Sequence, residues 1–202
     1  MFVNENLKEI HLKIVFFGPV YSGKSANIHY IHAHTIPAQK GSLFILDNRE
    51  NPSAIFDYFQ LETGRFQDKS INCNIYTVPD PDRYSEISMK ILRGADGLVY
   101  VADSRESQLD INLQTLLALE NHLKKEKRTL ERFPWVLQYN KRDLPAIATI
   151  EEMDNLLNFY SVPRFETIAP EGKGVADCLK GIVKRSLASV RERIEYKSAK
   201  SA

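Results

Sequence analysis

The run Gly18-Pro19-Val20-Tyr21-Ser22-Gly23-Lys24-Ser25 fits the spacing G-x-x-x-x-G-K-[ST]. This pattern works only in one structural setting: a strand that delivers the chain to the loop and a helix that begins at the loop's end. The apolar run Leu12-Lys13-Ile14-Val15-Phe16-Phe17 supplies the strand, and residues 24–34 read as the helix. Glycines let backbone N–H groups converge on phosphate oxygens, and the helix N-terminus adds partial positive charge. The candidate phosphate-binding residues are therefore Gly18, Val20, Tyr21, Ser22, Gly23, Lys24, Ser25 and Ala26. Lys24 has the reach for terminal phosphates, and the Ser25 hydroxyl is a candidate Mg²⁺ ligand. An ordinary Gly-rich turn would need neither the lysine nor these flanks.

Apolar runs predict strands at 13–17, 43–46, 71–78, 97–102, 135–140 and 164–168. Helix-period segments fall at 24–34, 85–92, 108–127, 150–160 and 175–194. The last carries Val175, Leu179, Ile182, Val183, Val190 and Ile194 on one face, with Lys180, Lys184, Arg185, Arg191 and Arg193 opposite as a solvated surface. Segment 108–127 places Leu109, Leu113, Leu116, Leu117 and Leu123 at core spacing. Strands alternating with helices imply right-handed crossovers. The expected fold is α/β, a three-layer P-loop domain spanning residues 1–202, with a mostly parallel sheet and helices on both faces. Ligands of such sheets sit beyond the carboxyl ends of the strands.

Bulk properties limit the partners. The net charge of 202 residues is +1, which gives no electrostatic footprint for nucleic acid. Cys73 and Cys178 form no metal spacing and read as buried thiols. No run approaches the ~20 apolar residues of a membrane span, and neither terminus carries a secretion or prenylation pattern. A cytoplasmic protein, monomeric by default, is expected.

A second motif addresses the nucleotide. The apolar run Trp135-Val136-Leu137-Gln138-Tyr139 ends in Asn140-Lys141-Arg142-Asp143. A carboxylate at Asp143 can accept two hydrogen bonds from the N1–H and 2-amino group of guanine. Adenine offers no such pair, and leaving the carboxylate unmatched costs about 1–3 kcal/mol or more. The competing reading is a helix-capping turn, because Asp143 precedes Leu144-Pro145.

Asn140–Asp143 resembles the N-K-x-D guanine-specificity motif of small Ras-like GTPases. The resemblance implies that the stem of Lys141 covers the base and that Asn140 ties this loop to the phosphate loop. Phe165-Glu166-Thr167-Ile168-Ala169 is similar to the E-T-S-A segment of the same fold, which implies a contact from the Ala169 N–H to the guanine oxygen; Ile168 replaces the usual Ser. Within that group the chain resembles the MglA family of gliding bacteria. The match rests on Lys13-Ile14-Val15 leading to Gly18-Pro19, on Tyr76-Thr77-Val78-Pro79, on the run from Gly94 to Ser104, and on Gln138 to Pro145. Thr77 is distinctive, since most Ras-like proteins carry Asp there. The resemblance implies GTP or GDP with Mg²⁺, a role in polarity or motility at a cell pole, a roadblock-type GAP of the MglB kind, and partners of the RomR and TPR-adaptor types.

Departures from the family pattern cluster where hydrolysis would occur. The family run T-V-P-G-Q appears as Thr77-Val78-Pro79-Asp80-Pro81, so Pro81 stands where a Gln orients water. Asp80 brings a carboxylate towards phosphate; like charges about 4 Å apart repel by several kcal/mol at an effective dielectric near 20. Val20 occupies a position that is Gly in the family. Aligned without gaps from Lys40-Gly41, the family's Arg-Thr pair falls on Pro52-Ser53. Ser53 retains a hydroxyl for Mg²⁺, Pro52 has no charge, and Arg49 is a distant substitute. No catalytic residue is assigned, and very slow or absent hydrolysis is expected. The alternatives are a fully cycling, GAP-stimulated switch and a P-loop ATPase or kinase; the latter lacks a recognisable lid. His29, His32 and His34 read as surface side chains. The run 54–59 reads as core or sheet-edge packing, with an effector surface, including Tyr84, as the functional alternative.

Overall fold

The computed structural model describes residues 2–4, 8–46, 56–78 and 86–200. Arg49, Pro52, Ser53, Asp80, Pro81 and Tyr84 lie outside the described residues.

Strand β2 (Glu9–Phe17) buries side chains on both of its faces. Ile10, Leu12, Ile14 and Phe16 enter one apolar cluster, while Val15 and Phe17 enter another. A strand buried on both faces belongs in the middle of a parallel sheet. Accordingly β2 pairs in parallel with β5 (Lys69–Thr77) on one side and β6 (Gly97–Asp103) on the other. Parallel pairing continues through β7 (Trp135–Asn140) to β8 (Arg164–Glu166). Beyond β5 the sheet turns antiparallel through β4 (Phe56–Phe66) and β3 (Phe44–Leu46). A short β1 (Phe2–Asn4) pairs antiparallel with β2. The order is β3-β4-β5-β2-β6-β7-β8, with β1 beside β2.

Helices α1 (Lys24–His34) and α5 (Val175–Lys200) cover one face, contributing Ile28, Ile31, Leu179 and Ile182 to its core. Helices α2 (Glu86–Leu92), α3 (Leu109–Lys125) and α4 (Ile150–Leu157) cover the other with Leu92, Leu116, Leu119, Met153 and Leu157. The three-layer, mostly parallel α/β architecture is the one expected.

Local differences have physical causes. The stretch Glu62-Thr63-Gly64-Arg65 lacks apolar alternation, yet it belongs to β4, where pairing with β5 and a bulge between Glu62 and Gly64 carry the strand through. The described part of the 54–59 run opens β4, and Phe59 is fully buried, as the packing alternative required. In α3, Leu117 faces solvent, and Leu119 takes its place in the core beside Leu116 and Leu123. In α5, Val175, Leu179, Ile182, Val183 and Val190 are buried, while Lys180 and Lys184 are exposed. Both cysteines are buried, and burial pushes the Cys73 thiol up to about 11. His32 donates from Nε2 to the Gly41 carbonyl and packs edge-on against Phe59, and His34 stacks on Tyr30. Among the described residues no group of three or more His, Cys, Asp and Glu side chains is placed to hold a metal.

Candidate nucleotide-binding site

Every parallel strand ends at one edge of the sheet. Phe17, Thr77, Asp103, Asn140 and Glu166 close β2, β5, β6, β7 and β8. Both sequence motifs therefore meet at that edge, although more than a hundred residues separate them.

The loop after β2 is held by close packing. Gly18 has φ +150°, and a Cβ there would lie 2.1 Å from the Val101 carbonyl oxygen. Gly23 has φ +105° and caps α1 without a side-chain hydrogen bond, so no side chain occupies the N–H groups of the first helical turn. Tyr21 adopts φ +60° and is 86% exposed, an uncommon conformation for an aromatic residue. Val20 is half-buried, Ser22 is buried, and Ser25 is exposed. The buried Lys24 donates to the Gly18 and Pro19 carbonyls at 2.8 and 2.7 Å, which holds its ammonium against the loop. Ala26 is half-buried on α1 against the core.

A chain of buried amides fastens this loop to the second motif. The Asn140 side-chain N–H donates to the Ser22 carbonyl at 2.8 Å. Its Oδ1 accepts from the Thr167 hydroxyl and from the Ala169 N–H, both at 3.0 Å. Thr167 in turn accepts from Gln138 at 3.0 Å, and Gln138 also donates to Asn27 at 2.6 Å. Asn27 closes the circuit by donating to the Gly23 carbonyl at 2.9 Å. The four side chains that carry it, Asn27, Gln138, Asn140 and Thr167, are buried, as is Ser22, which joins through its backbone carbonyl. Gly23 is required by the same contact, because a Cβ there would lie 2.2 Å from the Asn140 nitrogen.

Asp143 is exposed and is not a helix cap; α4 is capped by Thr149 in a reciprocal box with Glu152. Lys141 adopts φ +66°, and its Nζ donates to Asp103 at 2.7 Å. The Arg142 N–H donates to the Thr167 carbonyl at 3.2 Å, a further tie between the base loop and the segment before Ala169.

On the β5 side, the Thr77 hydroxyl accepts from the Asp57 N–H at 2.7 Å and lies 3.4 Å from the Asp57 carboxylate. Asp57 is fully buried, and His29 approaches it at 3.3 Å. His29 and Ser25 are four residues apart and share a face of α1, so Ser25 lies on the side of the helix from which His29 reaches the Asp57–Thr77 pair. Such hard oxygen donors suit Mg²⁺.

A cavity of about 730 Å³ opens elsewhere, between α1, β4 and α5, lined by residues such as Tyr30, Ile36, Phe66 and Leu187. It is apolar and contains none of the phosphate-loop or base-loop residues, so volume is a poor guide to the chemistry here.

The chain is 37% identical over 191 residues to the mutual gliding-motility protein MglA of Myxococcus xanthus (strain DK1622), a match covering 95% of this chain and 98% of that protein. The chain belongs to the MglA family of small Ras-like GTPases. A more distant similarity, 26% over 143 residues, is to the Ras-related protein Rab7 of Cenchrus ciliaris and spans 68% of this chain and 69% of Rab7. No protein-family model matches the chain. Of the residues in these networks, Asn140 and Ala169 are motif positions in the sequence, Gln138, Thr167 and Asp103 lie within the family-like runs but receive no role there, and Asn27 and Asp57 fall outside every motif. Nothing in the local spacing of the last five distinguishes them; each becomes significant only through contacts across the sheet.

Proposed function

We propose that this MglA-family protein binds GTP and GDP with Mg²⁺ and regulates motility or polarity by recruiting protein partners at a cell pole, with very slow or absent GTP hydrolysis. The observation that carries the nucleotide reading is the buried circuit from Ser22 through Asn140, Thr167, Gln138 and Asn27 back to Gly23. It fixes a phosphate-gripping loop and a base-reading loop at a constant separation, as one ligand with a phosphate tail and a base requires. In this reading Gly18, Val20, Tyr21, Ser22, Gly23, Lys24, Ser25 and Ala26 surround the phosphates, Asp143 accepts from the guanine N1–H and 2-amino group, Lys141 covers the base, and Ala169 offers its N–H to the guanine oxygen.

Magnesium, when bound, neutralises phosphate charge. Ser25 and Ser53 are its hydroxyl ligands in this proposal. Asp57 supplies the carboxylate that Thr77 lacks, reaching from the neighbouring strand to the same end of the sheet. Three residues argue for slow turnover. Val20 intrudes where the family has Gly, and Pro52 and Pro81 remove the charge and the water-orienting amide. An arginine supplied to the transition state is worth ~10³–10⁵ in rate, so its loss leaves little. RomR-type recruiters, TPR-type adaptors and an MglB-like GAP are the proposed partner classes.

The test is a single-turnover assay with GTP-loaded protein and Mg²⁺, alone and with an MglB-type protein. A rate constant below ~10⁻⁴ s⁻¹ in both arms is expected, and acceleration to about 1 s⁻¹ or faster would establish the cycling switch instead. Equal binding of ADP and GDP would overturn the guanine assignment itself.

A further inference from the structure

Asp103 closes β6, and its side chain is 2% exposed. Lys141 donates to its Oδ2 at 2.7 Å. Arg105 grips the same carboxylate from three directions: the Nε at 3.1 and 3.2 Å to the two oxygens, the Nη2 at 2.7 Å to Oδ2, and the backbone N–H at 3.1 Å to Oδ1. The backbone of Asp103 is fixed as firmly. Asn112, fully buried in the first turns of α3, accepts from the Asp103 N–H at 3.0 Å and donates to its carbonyl at 2.8 Å.

The same corner braces the base loop at both ends. The Ser104 N–H donates to the Asn140 carbonyl at 3.0 Å, the Ala148 N–H donates to the Ser104 carbonyl at 2.8 Å, and the Glu106 N–H donates to the Ala146 carbonyl at 3.0 Å. Residues 103–106 thus touch the loop just before Lys141 and again beyond Asp143.

We propose that Asp103, oriented by Asn112 and Arg105, is a positioning residue for guanine binding that pins the Lys141 ammonium so that its aliphatic stem is ordered before the base arrives. This rests on the guanine-nucleotide reading above. A lysine stem has four rotors, and ordering it on binding would cost rotamer entropy at that moment. A carboxylate already bonded to its tip removes most of that cost. Arg105 has its own part: a buried carboxylate facing a single lysine would be under-satisfied, and the forked guanidinium saturates the remaining lone pairs. Burial opposes ionisation of Asp103, but Arg105 and Lys141 together outweigh it and hold the carboxyl below its usual range.

The experiment is calorimetric titration of nucleotide-stripped, full-length protein with GDP and Mg²⁺. The proteins are wild type, Asp103→Asn, Lys141→Ala and the double variant. Asp103→Asn is expected to weaken GDP about tenfold in the wild-type background and less than about twofold when Lys141 is already Ala, because coupled groups are non-additive. The same factor in both backgrounds, which a general structural role would produce, overturns the proposal. So does an unchanged affinity of Asp103→Asn in the wild-type background. Should Asp103→Asn not fold, Lys141→Met carries the test. It keeps an apolar stem but cannot be pinned, and an affinity equal to wild type overturns the proposal. Absence of GDP binding by the wild type refutes the nucleotide reading; wild-type binding with unaffected variants refutes only the role of Asp103.

Discussion

Replacing Asn140 by Ala tests the buried circuit most directly. The substitution deletes three hydrogen bonds at once: to the Ser22 carbonyl, from the Thr167 hydroxyl and from the Ala169 N–H. Each is worth about 1 kcal/mol net, and a buried backbone N–H left without a partner costs about 1–3 kcal/mol. Partial relaxation makes about 3 kcal/mol a reasonable total. For a domain of this length 1 kcal/mol corresponds to about 2–4 °C, so the unfolding midpoint should fall by about 6–12 °C. Thermal unfolding followed by circular dichroism on nucleotide-stripped protein measures this without the added stabilisation of a ligand. Asn140→Asp separates the two halves of the contact. Its carboxylate still accepts from Thr167 and Ala169 but presents an oxygen to the Ser22 carbonyl, so it should retain the 167–169 tie and lose the tie to the phosphate loop. GDP affinity should then fall in both variants. An Asn140→Ala protein that melts within about a degree of wild type and binds GDP equally well would refute the reasoning, because the two loops would then be held by something else.

Three further outcomes follow from the geometry. Gly23→Ala should eliminate co-purified nucleotide, read by chromatography of the denatured protein, because the new Cβ meets the Asn140 nitrogen at 2.2 Å in a left-handed backbone; the strain alone is of order 1–3 kcal/mol. Asp57→Asn should raise the Mg²⁺ concentration needed for half-maximal GDP retention by roughly tenfold, the scale of one charge-assisted contact, while leaving Mg²⁺-free binding unchanged. The third concerns pH. The folded-state value of Asp103 lies below its unfolded value of about 3.9, so its contribution is full at neutral pH and is lost only as pH falls through the folded value. The stability gap between wild type and Asp103→Asn in urea should therefore stay constant from about pH 8 to 5 and close below about pH 4.

The motif residues Lys24, Asn140 and Asp143 are legible in residue order alone, because each motif is local: a few residues at fixed spacing carry it. The parallel strands were legible for the same reason, since β6 and β7 are continuous apolar runs buried on both faces. Strand β4 was only half visible. Its polar second half is held by pairing with β5 rather than by its own side chains.

What the chain order determined is a nucleotide-type loop, a base-type loop and the alternating layers that bring both to one sheet edge. What the tertiary structure decided is how those loops are fastened. Asn27, Gln138 and Thr167 are ordinary polar residues until folding buries them within hydrogen-bond reach of one another, and Asp57 is one more acidic residue until β4 sets it beside Thr77. The reason is that a hydrogen bond depends on distance and direction in space, and side chains as far apart along the chain as Asn27 and Gln138 acquire both only when the sheet has formed.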